Sequence, residues 1–330
     1  MRTKRPIVVS LLAAVALAAA ALSTASAAYP GADGRLAFGV LGPSGVSMVT
    51  VRQDGLGLRT LTSGVKFHGC AAYSPNGTWI AYCSNVSGKL EIWAMRQNGK
   101  DQHQVTHLGG RATFPDYSPD GRRIAFGGPE GADPAAEIYV VDAATGGSLQ
   151  RLTNCAGSPA GCFNLYPAWS PDGTKIAYIH GDGRDAHGNG VNEQVWVMNA
   201  DGSGAHPLTS GAAPKDQVPD WSPDGTQLAF ASGALGSGGI WVMNADGSGQ
   251  HQLTGCASGA PAPCAAGDDF GPTWSPDGHQ IAFARDFGAV GGDRPIVVMN
   301  ADGTGQHRIT ANGVVAFAPA WQPRIDEGGD

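Results

Sequence analysis

One insertion carries residue types that bind a metal ion. Residues 181–193 contain Asp185, Asn189 and Glu193, with glycines between the oxygen-bearing side chains. Oxygen ligands at alternate positions followed by glycine are typical of calcium loops, but His187 takes an oxygen position and Glu193 comes too early for a twelve-residue loop. Calcium is therefore one hypothesis for this segment, and a polar hairpin without metal is the alternative. We expect no other cofactor.

The motifs of common enzyme classes are absent from the sequence. It contains no His-Glu-x-x-His, no Gly-x-Ser-x-Gly and no phosphate-binding glycine loop. Four of the nine histidines occupy equivalent positions of a repeat, namely His103, His206, His251 and His307. They are repeat features and not a catalytic cluster. Because a site assembled from distant segments leaves no local motif, an enzyme stays an alternative.

The first 28 residues have the layout of a secretory signal peptide. Arg2, Lys4 and Arg5 precede an apolar run over residues 7–22, and an Ala-Ser-Ala cleavage pattern follows at 25–27. The run is shorter than the ~20 residues of a membrane-spanning helix, so an uncleaved anchor is the weaker alternative. We expect residues 1–28 to be removed and the protein to be exported to the periplasm or the extracellular space.

Six cysteines follow this segment, and an even number in an exported chain favours disulfides. Proximity along the chain predicts three local pairs, and the first pair flanks a predicted hairpin. The predicted pairs are Cys70–Cys83, Cys155–Cys162 and Cys256–Cys264.

The charge of the chain excludes some partners. The formal net charge is −7, and removal of the three basic residues in the signal peptide changes it to −10. An acidic surface argues against nucleic acid and anionic membranes as partners. No stretch after the signal peptide is apolar enough to cross a membrane.

A repeated pentapeptide indicates the structural units that must position any site. Its aromatic residues are spaced by 44, 52, 52, 53 and 47 positions. The copies are Tyr73-Ser-Pro-Asn-Gly77, Tyr117-Ser-Pro-Asp-Gly121, Trp169-Ser-Pro-Asp-Gly173, Trp221-Ser-Pro-Asp-Gly225, Trp274-Ser-Pro-Asp-Gly278 and a degenerate Trp321-Gln322-Pro323. Such a period is typical of small β-units that need their neighbours to bury their faces.

The sequence of each unit predicts four short strands. Short alternating apolar runs separated by turn residues dominate the chain, and helical periodicity is nearly absent. The chain starts with a second strand at Arg35–Phe38 and ends with an unpaired first strand at Pro319–Pro323. We infer that the two ends combine into one blade. The sequence predicts an all-β, six-bladed β-propeller of four-stranded antiparallel blades, which fills residues 29–330 and is closed by the C-terminal strand.

These motifs resemble the WD40-like PD40 repeats of the TolB-like propeller family. The resemblance rests on the Trp-Ser-Pro-Asp-Gly turn, the Ile-Ala-Phe strand and the Val-Met-Asn-Ala-Asp-Gly-Ser-Gly segment, and it covers nearly all of the chain after the signal peptide. TolB itself carries an N-terminal α/β domain, for which we expect no counterpart here. The resemblance implies a channel mouth that receives segments of partner proteins.

Most repeated residues have a structural interpretation. The repeat tryptophans are expected to pack between blades, and Asp201, Asp246 and Asp302 to form turns. Asp116 and Asp220 precede the repeat aromatic in two units, where they either face the channel or bond to neighbouring backbone.

The segments that precede each inner strand differ between units and lead to the channel mouth. We predict a binding site there, with an ordinary solvated rim as the alternative. The candidate binding residues are His68, Arg111, Asn164, Lys215, Asp216, Asp268 and Asp269.

The leading hypothesis is a secreted, monomeric, non-catalytic scaffold that binds a protein or peptide at the channel mouth. The alternative is a propeller hydrolase or lyase that acts on an extracellular polysaccharide. A propeller that binds a small ligand or an ion is the third interpretation.

Overall fold

The computed structural model describes residues 32–128, 136–155, 161–184, 190–210, 216–233, 238–255, 268–287 and 293–324. These residues form 26 β-strands and no helix. Six four-stranded antiparallel sheets follow one another along the chain. This arrangement confirms the predicted six-bladed β-propeller. We number the sheets as blades 1 to 6.

The strands are short, and the outermost strand of each blade has two residues. Blade 1 contains β1 (Ala32–Gly42), β2 (Gly45–Arg52) and β3 (Arg59–Thr60). Blade 2 contains β4 (His68–Tyr73), β5 (Trp79–Ser84), β6 (Glu91–Arg96) and β7 (His103–Gln104). Blade 3 contains β8 (Thr113–Tyr117), β9 (Arg123–Gly128), β10 (Glu137–Asp142) and β11 (Gln150–Arg151).

Blade 4 differs from the others by an inserted hairpin. It contains β12 (Phe163–Trp169), β13 (Lys175–Gly181), β16 (Gln194–Asn199) and β17 (His206–Pro207), with β14 (Gly183–Arg184) and β15 (Gly190–Val191) as the insertion. Blade 5 contains β18 (Asp216–Trp221), β19 (Gln227–Ser232), β20 (Gly239–Asn244) and β21 (His251–Gln252). Blade 6 contains β22 (Asp268–Trp274), β23 (Gln280–Asp286), β24 (Ile296–Asn300) and β25 (His307–Arg308).

The last strand, β26 (Val315–Arg324), joins blade 1 and closes the ring. It pairs antiparallel with β1, where Trp321 lies opposite Leu36 and Ala320 opposite Ala37. The degenerate sixth repeat also reaches blade 2, because Gln322 donates from Nε2 to the carbonyl of Gly77 at 3.0 Å. Gly77 has a φ of +63°, and a Cβ there would lie 2.1 Å from the carbonyl oxygen of Pro323. The predicted closure is thereby confirmed.

The core lies between neighbouring blades. Trp169 of blade 4 is fully buried and packs with Ala125, Ile138 and Val140 of blade 3. Trp221, Trp274 and Trp321 are at most 5% exposed at the equivalent positions. Large rings bury much apolar area, so one aromatic residue per blade stabilises each blade junction. The predicted packing role of the repeat tryptophans is confirmed.

Each repeated turn is stabilised by hydrogen bonds of its own side chains. In blade 4 the Ser170 hydroxyl donates to Asp172 at 2.6 Å and accepts from the backbone N–H of Lys175 at 2.9 Å. The carboxylates of Asp201, Asp246 and Asp302 accept from the backbone and side chain two residues ahead, as predicted for turn residues.

A threonine at the end of each blade anchors the crossing to the next one. Each Thr Oγ1 accepts a hydrogen bond from the backbone N–H of the blade's third strand at 2.8–3.2 Å. The pairs are Thr62–Met48, Thr106–Ile92, Thr153–Ile138, Thr209–Val195, Thr254–Ile240 and Thr310–Ile296. This bond satisfies an N–H that the two-residue outer strand leaves unpaired.

Candidate binding site in the central channel

The six inner strands, β26, β4, β8, β12, β18 and β22, surround a central cavity of about 130 Å³. Every blade contributes residues from the stretch that ends at the repeat aromatic. Because each inner strand runs from the segment that enters the blade toward the Ser-Pro turn, successive residues line successive depths of the channel. The cavity can therefore be described as layers of six residues.

The layer three residues before the repeat aromatic adopts an unusual backbone conformation. All six of its residues have a positive φ, from 48° to 59°, and the strand register shifts beside them. They are Cys70, Phe114, Tyr166, Val218, Gly271 and Ala318. Non-glycine residues seldom adopt this conformation, and a β-branched residue such as Val218 is strained by it. The bulge is common to all blades, so it belongs to the architecture of the channel wall.

The side chains of this layer are unequal around the ring. Blades 3 and 4 contribute Phe114 and Tyr166, whose ring centroids lie 4.1 Å apart. Blades 6 and 1 contribute Gly271 and Ala318, and a Cβ added to Gly271 would touch only the Cα of Ala318 at 4.0 Å. The channel is thus aromatic on one side and open on the other.

Two carboxylates lie in the layer directly before the repeat aromatic. Asp116 accepts from the backbone N–H of Trp169 at 2.7 Å, and Asp220 accepts from that of Trp274 at 2.8 Å. The other four residues of the layer are Ala72, Ala168, Thr273 and Ala320. Of the two predicted uses of these aspartates, facing the channel or bonding to neighbouring backbone, the structure shows both at once.

Burial governs the ionisation of this pair. Burial raises the pKa of Asp220 to about 6, although the hydrogen bonds from Trp274 and Thr273 act to lower it. It raises the pKa of Asp116 well above its usual value, and the charge of Asp220 raises it further. No described Lys, Arg or His side chain contacts either carboxylate or contributes to these shifts. The described part of the channel therefore holds two carboxyl groups that no positive charge faces, and their burial favours the protonated forms.

Three of the predicted binding residues are buried and bonded to other residues of the ring. His68 lies 3.1 Å from Ser84 through Nδ1, and burial lowers its pKa. Asp269 forms a bidentate ion pair with Arg285, whose Nε and Nη2 donate to the two carboxylate oxygens at 2.7 and 2.9 Å. Asn164 donates to Glu137 at 2.9 Å and lies 2.9 Å from His180 Nδ1. These contacts fix the three side chains in place at the channel mouth.

The other predicted binding residues lie closer to solvent or outside the described residues. Arg111 is exposed beside a second cavity lined by Phe114 and Tyr166. Asp268 is exposed and accepts from the backbone N–H of Gly238 at 3.1 Å. Lys215 and the side chain of Asp216 lie outside the described residues. A binding role for all seven residues stays a prediction.

The insertion in blade 4 forms a small two-stranded sheet from β14 and β15. Asp185 and Asn189 lie outside the described residues, and Glu193 is 9% exposed. Within the ranges that the structure describes, no three His, Cys, Asp or Glu side chains form a group that could hold a metal ion. Calcium at this insertion stays an untested hypothesis.

Two of the three predicted disulfides are present. Cys70 bonds to Cys83 across β4 and β5, and Cys155 bonds to Cys162 in the crossing from blade 3 to blade 4. Cys70 is also one of the channel-lining residues with a positive φ. The predicted Cys256–Cys264 pair lies outside the described residues.

The sequence interpretation missed the large apolar residues of the channel wall. Phe114, Tyr166 and Val218 were not among the predicted binding residues, although each lies three positions before a repeat aromatic. Their divergence at a fixed repeat position was the available pattern. The conformation that turns this position toward the channel has no sequence pattern, because five of its six residues are not glycine.

Comparison with known proteins identifies relatives along much of the chain. A family model described as the TolB beta propeller domain matches residues 44–254. An uncharacterized protein of Agrobacterium fabrum, Atu1656, is 30% identical over 161 residues, which are 48% of this chain and 52% of that protein. A TolB homolog of Chlorobium chlorochromatii is 30% identical over 156 residues, which are 47% of this chain and 31% of that protein. The matches thus span about half or less of these relatives.

Solved structures share the fold at low sequence identity. TolB from Acinetobacter baumannii superposes with a TM-score of 0.70 at 21% identity, over 88% of this chain and 67% of that one. A putative TolB from Agrobacterium tumefaciens gives a TM-score of 0.61 at 21% identity, over 89% of this chain and 100% of that one. In the described part of this chain, no helix is long and apolar enough to cross a membrane.

Proposed function

This chain belongs to the TolB β-propeller family, and from that premise we propose that it is an exported, non-catalytic scaffold whose channel binds a segment of a partner protein. The observation that carries the proposal is the unequal lining of a channel built on equal blades. Phe114, Tyr166 and Val218 replace the small residues that blades 6 and 1 place at the same position.

The contrast between core and channel supports this interpretation. The positions between blades hold similar residues in every copy, such as the repeat aromatics and the Ile-Ala or Leu-Ala pairs of the second strands. The channel positions have the same backbone conformation in all blades but differ in size, polarity and charge. Packing alone does not account for that variety, and concave surfaces with a few placed polar groups are typical binding sites.

The family resemblance supports the choice of a protein segment as the ligand, because it implies a channel mouth that receives partner proteins. The two disulfides are typical of an exported protein and fit the predicted signal peptide. The monomeric state remains a prediction within this proposal.

A variant that fills the channel tests the proposal. Ala318 lies on the open side of the channel and is partly exposed. Ala318→Trp should therefore block a partner segment and leave the ring folded. Leu149→Trp is the matched control, because Leu149 is 47% exposed on the outer hairpin of blade 3.

The readout is capture of partners from the envelope and secreted fractions of the native host, followed by mass spectrometry. We expect one partner to be captured by the wild type and by Leu149→Trp but to be lost with Ala318→Trp. Equal capture by all three proteins would contradict a site in the channel. Cleavage of an extracellular polysaccharide by the wild type that Ala318→Trp abolishes would favour the predicted hydrolase or lyase instead.

A further inference from the structure

We propose that the channel recognises an arginine side chain of the bound segment, held between the carboxylates of Asp116 and Asp220 and the aromatic wall formed by Phe114 and Tyr166. This inference rests on the proposed function and names the chemistry of the ligand.

The first argument is the placement of two buried carboxyl groups without a neighbouring cation. Asp116 and Asp220 occupy equivalent positions of blades 3 and 5 and line one cavity. Their hydrogen-bond donors are backbone N–H groups and the Thr273 hydroxyl, none of which carries a charge. A buried carboxyl group ionises readily only beside a positive charge, so a cation supplied by the ligand would pair with these groups in their ionised form.

The second argument is the surface above the carboxylates. Phe114 and Tyr166 lie two residues before the carboxylate layer on their strands, and their rings are in contact at 4.1 Å between centroids. A guanidinium stacks on aromatic faces and donates in a planar fork to carboxylates. An ammonium offers only a compact point charge, so the combination of rings and carboxylates favours arginine over lysine.

The third argument is the presence of unsatisfied polar groups in the same wall. Tyr73 and Trp274 line the cavity and are 4% and 3% exposed. The Tyr73 hydroxyl and the Trp274 indole N–H have no hydrogen-bond partner among the described residues. Buried polar groups without a partner are rare in native proteins. Two polar groups without a partner thus belong to residues that line the cavity beside the carboxylates.

The fourth argument is access. The carboxylate layer lies two residues below the bulge layer, which corresponds to about 6–7 Å along a strand. The small residues Gly271 and Ala318 leave the opposite side of the bulge layer open. A long side chain can therefore pass the aromatic wall and reach the carboxylates while its backbone stays at the mouth.

The test uses two capped tripeptides, Gly-Arg-Gly and its citrulline analogue, which has the same shape without the charge. Binding is measured by NMR titration of the backbone amide resonances of Trp169 and Trp274, whose N–H groups donate to the two carboxylates. The protein variants are Asp116→Asn and Asp220→Asn, because asparagine keeps an acceptor for the backbone N–H of each tryptophan. Asp246→Asn, in an exposed turn, is the control.

We expect the arginine peptide to bind at least about tenfold more tightly than the citrulline peptide, as for other hydrogen bonds to charged groups. Each channel variant should remove most of that difference, and Asp246→Asn should keep it. Equal affinities for the two peptides, or an unchanged preference in the Asp116→Asn/Asp220→Asn double variant, would overturn the inference. Thermal unfolding of each variant excludes misfolding as the cause.

The partner experiment separates this inference from the proposed function. If Ala318→Trp abolishes partner capture but the double variant captures the partner normally, the arginine inference is wrong and the binding scaffold stands. If the arginine preference is observed but no partner depends on the channel, the inference stands and the scaffold proposal is wrong.

Discussion

The carboxylate of Asp220 accepts a hydrogen bond from the backbone N–H of Trp274 at 2.8 Å, so a channel residue of blade 5 holds the innermost strand of blade 6. Asp116 and Trp169 form the same bond between blades 3 and 4. These two bonds join the proposed binding chemistry to the stability of the ring, because each aspartate serves both. The ionisation of either group should therefore change both properties.

The first prediction concerns the pH dependence of stability. Burial raises the pKa of Asp220 to about 6 in the folded protein, above the usual value of 3.8. Between about pH 4 and 6 the folded protein keeps a proton that the unfolded chain has released, so the contribution of Asp220 falls as the pH rises. Asp220→Asn should gain up to about 3 kcal/mol relative to the wild type between pH 4 and 7.5. Urea unfolding at both pH values measures this change.

Asp224 supplies a control of opposite sign four residues away. Partial burial raises its pKa, but hydrogen bonds from Ser222 and Thr226 outweigh this effect and leave the pKa below its usual value. Its contribution to stability is present above the unfolded-state pKa and is lost as the pH falls. Asp224→Asn should therefore lose stability relative to the wild type as the pH rises from 3 to 7.5. A common trend in both variants would contradict this account of Asp220.

The second prediction concerns the threonine anchors. Thr106 is 2% exposed, accepts from the backbone N–H of Ile92 and donates to the buried Glu91 carboxylate at 2.6 Å. Thr106→Val keeps the shape but leaves both groups without this partner, so it should cost about 3 kcal/mol. Thr310 has a longer bond to Ile296, at 3.2 Å, and lies in a partly exposed position. Thr310→Val should cost about 1 kcal/mol, and equal costs in denaturant unfolding would argue against the role of Glu91.

The third prediction concerns closure of the ring. Deletion of residues 315–330 removes β26, exposes the edge of β1 and empties the position of Trp321, which is 5% exposed. We expect this chain to aggregate or to unfold at a markedly lower temperature, because an open edge pairs with other chains. Trp321→Ala should cost about 3–5 kcal/mol as an intermediate case. Unchanged thermal unfolding of the truncated chain would show that closure contributes nothing.

The fourth prediction concerns the third disulfide. The two confirmed bonds link cysteines 13 and 7 residues apart, and Cys256 and Cys264 have a similar separation. We expect peptide mapping without reductant to recover Cys256 linked to Cys264. A free thiol at either position, or a bond to another cysteine, would refute the prediction.

The architecture was predictable because it follows from repetition. Trp169, Trp221 and Trp274 recur at nearly constant spacing, and a blade can bury such a residue only against a neighbour, so blade number and closure follow from counting. The local disulfides followed from proximity in the same way. Both are properties of the chain that change little with the details of side-chain packing.

The candidate site was only partly predictable because it depends on side-chain direction. Asn164 and Asp269 are polar and near the mouth, but a hydrogen bond holds Asn164 against Glu137 of blade 3 and an ion pair holds Asp269 against Arg285 of its own blade. Phe114 and Tyr166 line the channel because their backbone adopts a positive φ that no aromatic residue favours. That conformation is imposed by the bulge that all six inner strands share.

The most direct test of the account places a photoreactive benzoylphenylalanine at Phe114, in the channel wall, and separately at Leu149, on the outer edge of the same blade. Irradiation in the presence of the host's envelope and secreted fractions, followed by mass spectrometry, identifies what lies at each position. The account predicts a crosslink from Phe114 to an arginine-containing segment of one partner protein, and no crosslink to that partner from Leu149. A partner that crosslinks from Leu149 and not from Phe114 would contradict binding in the channel.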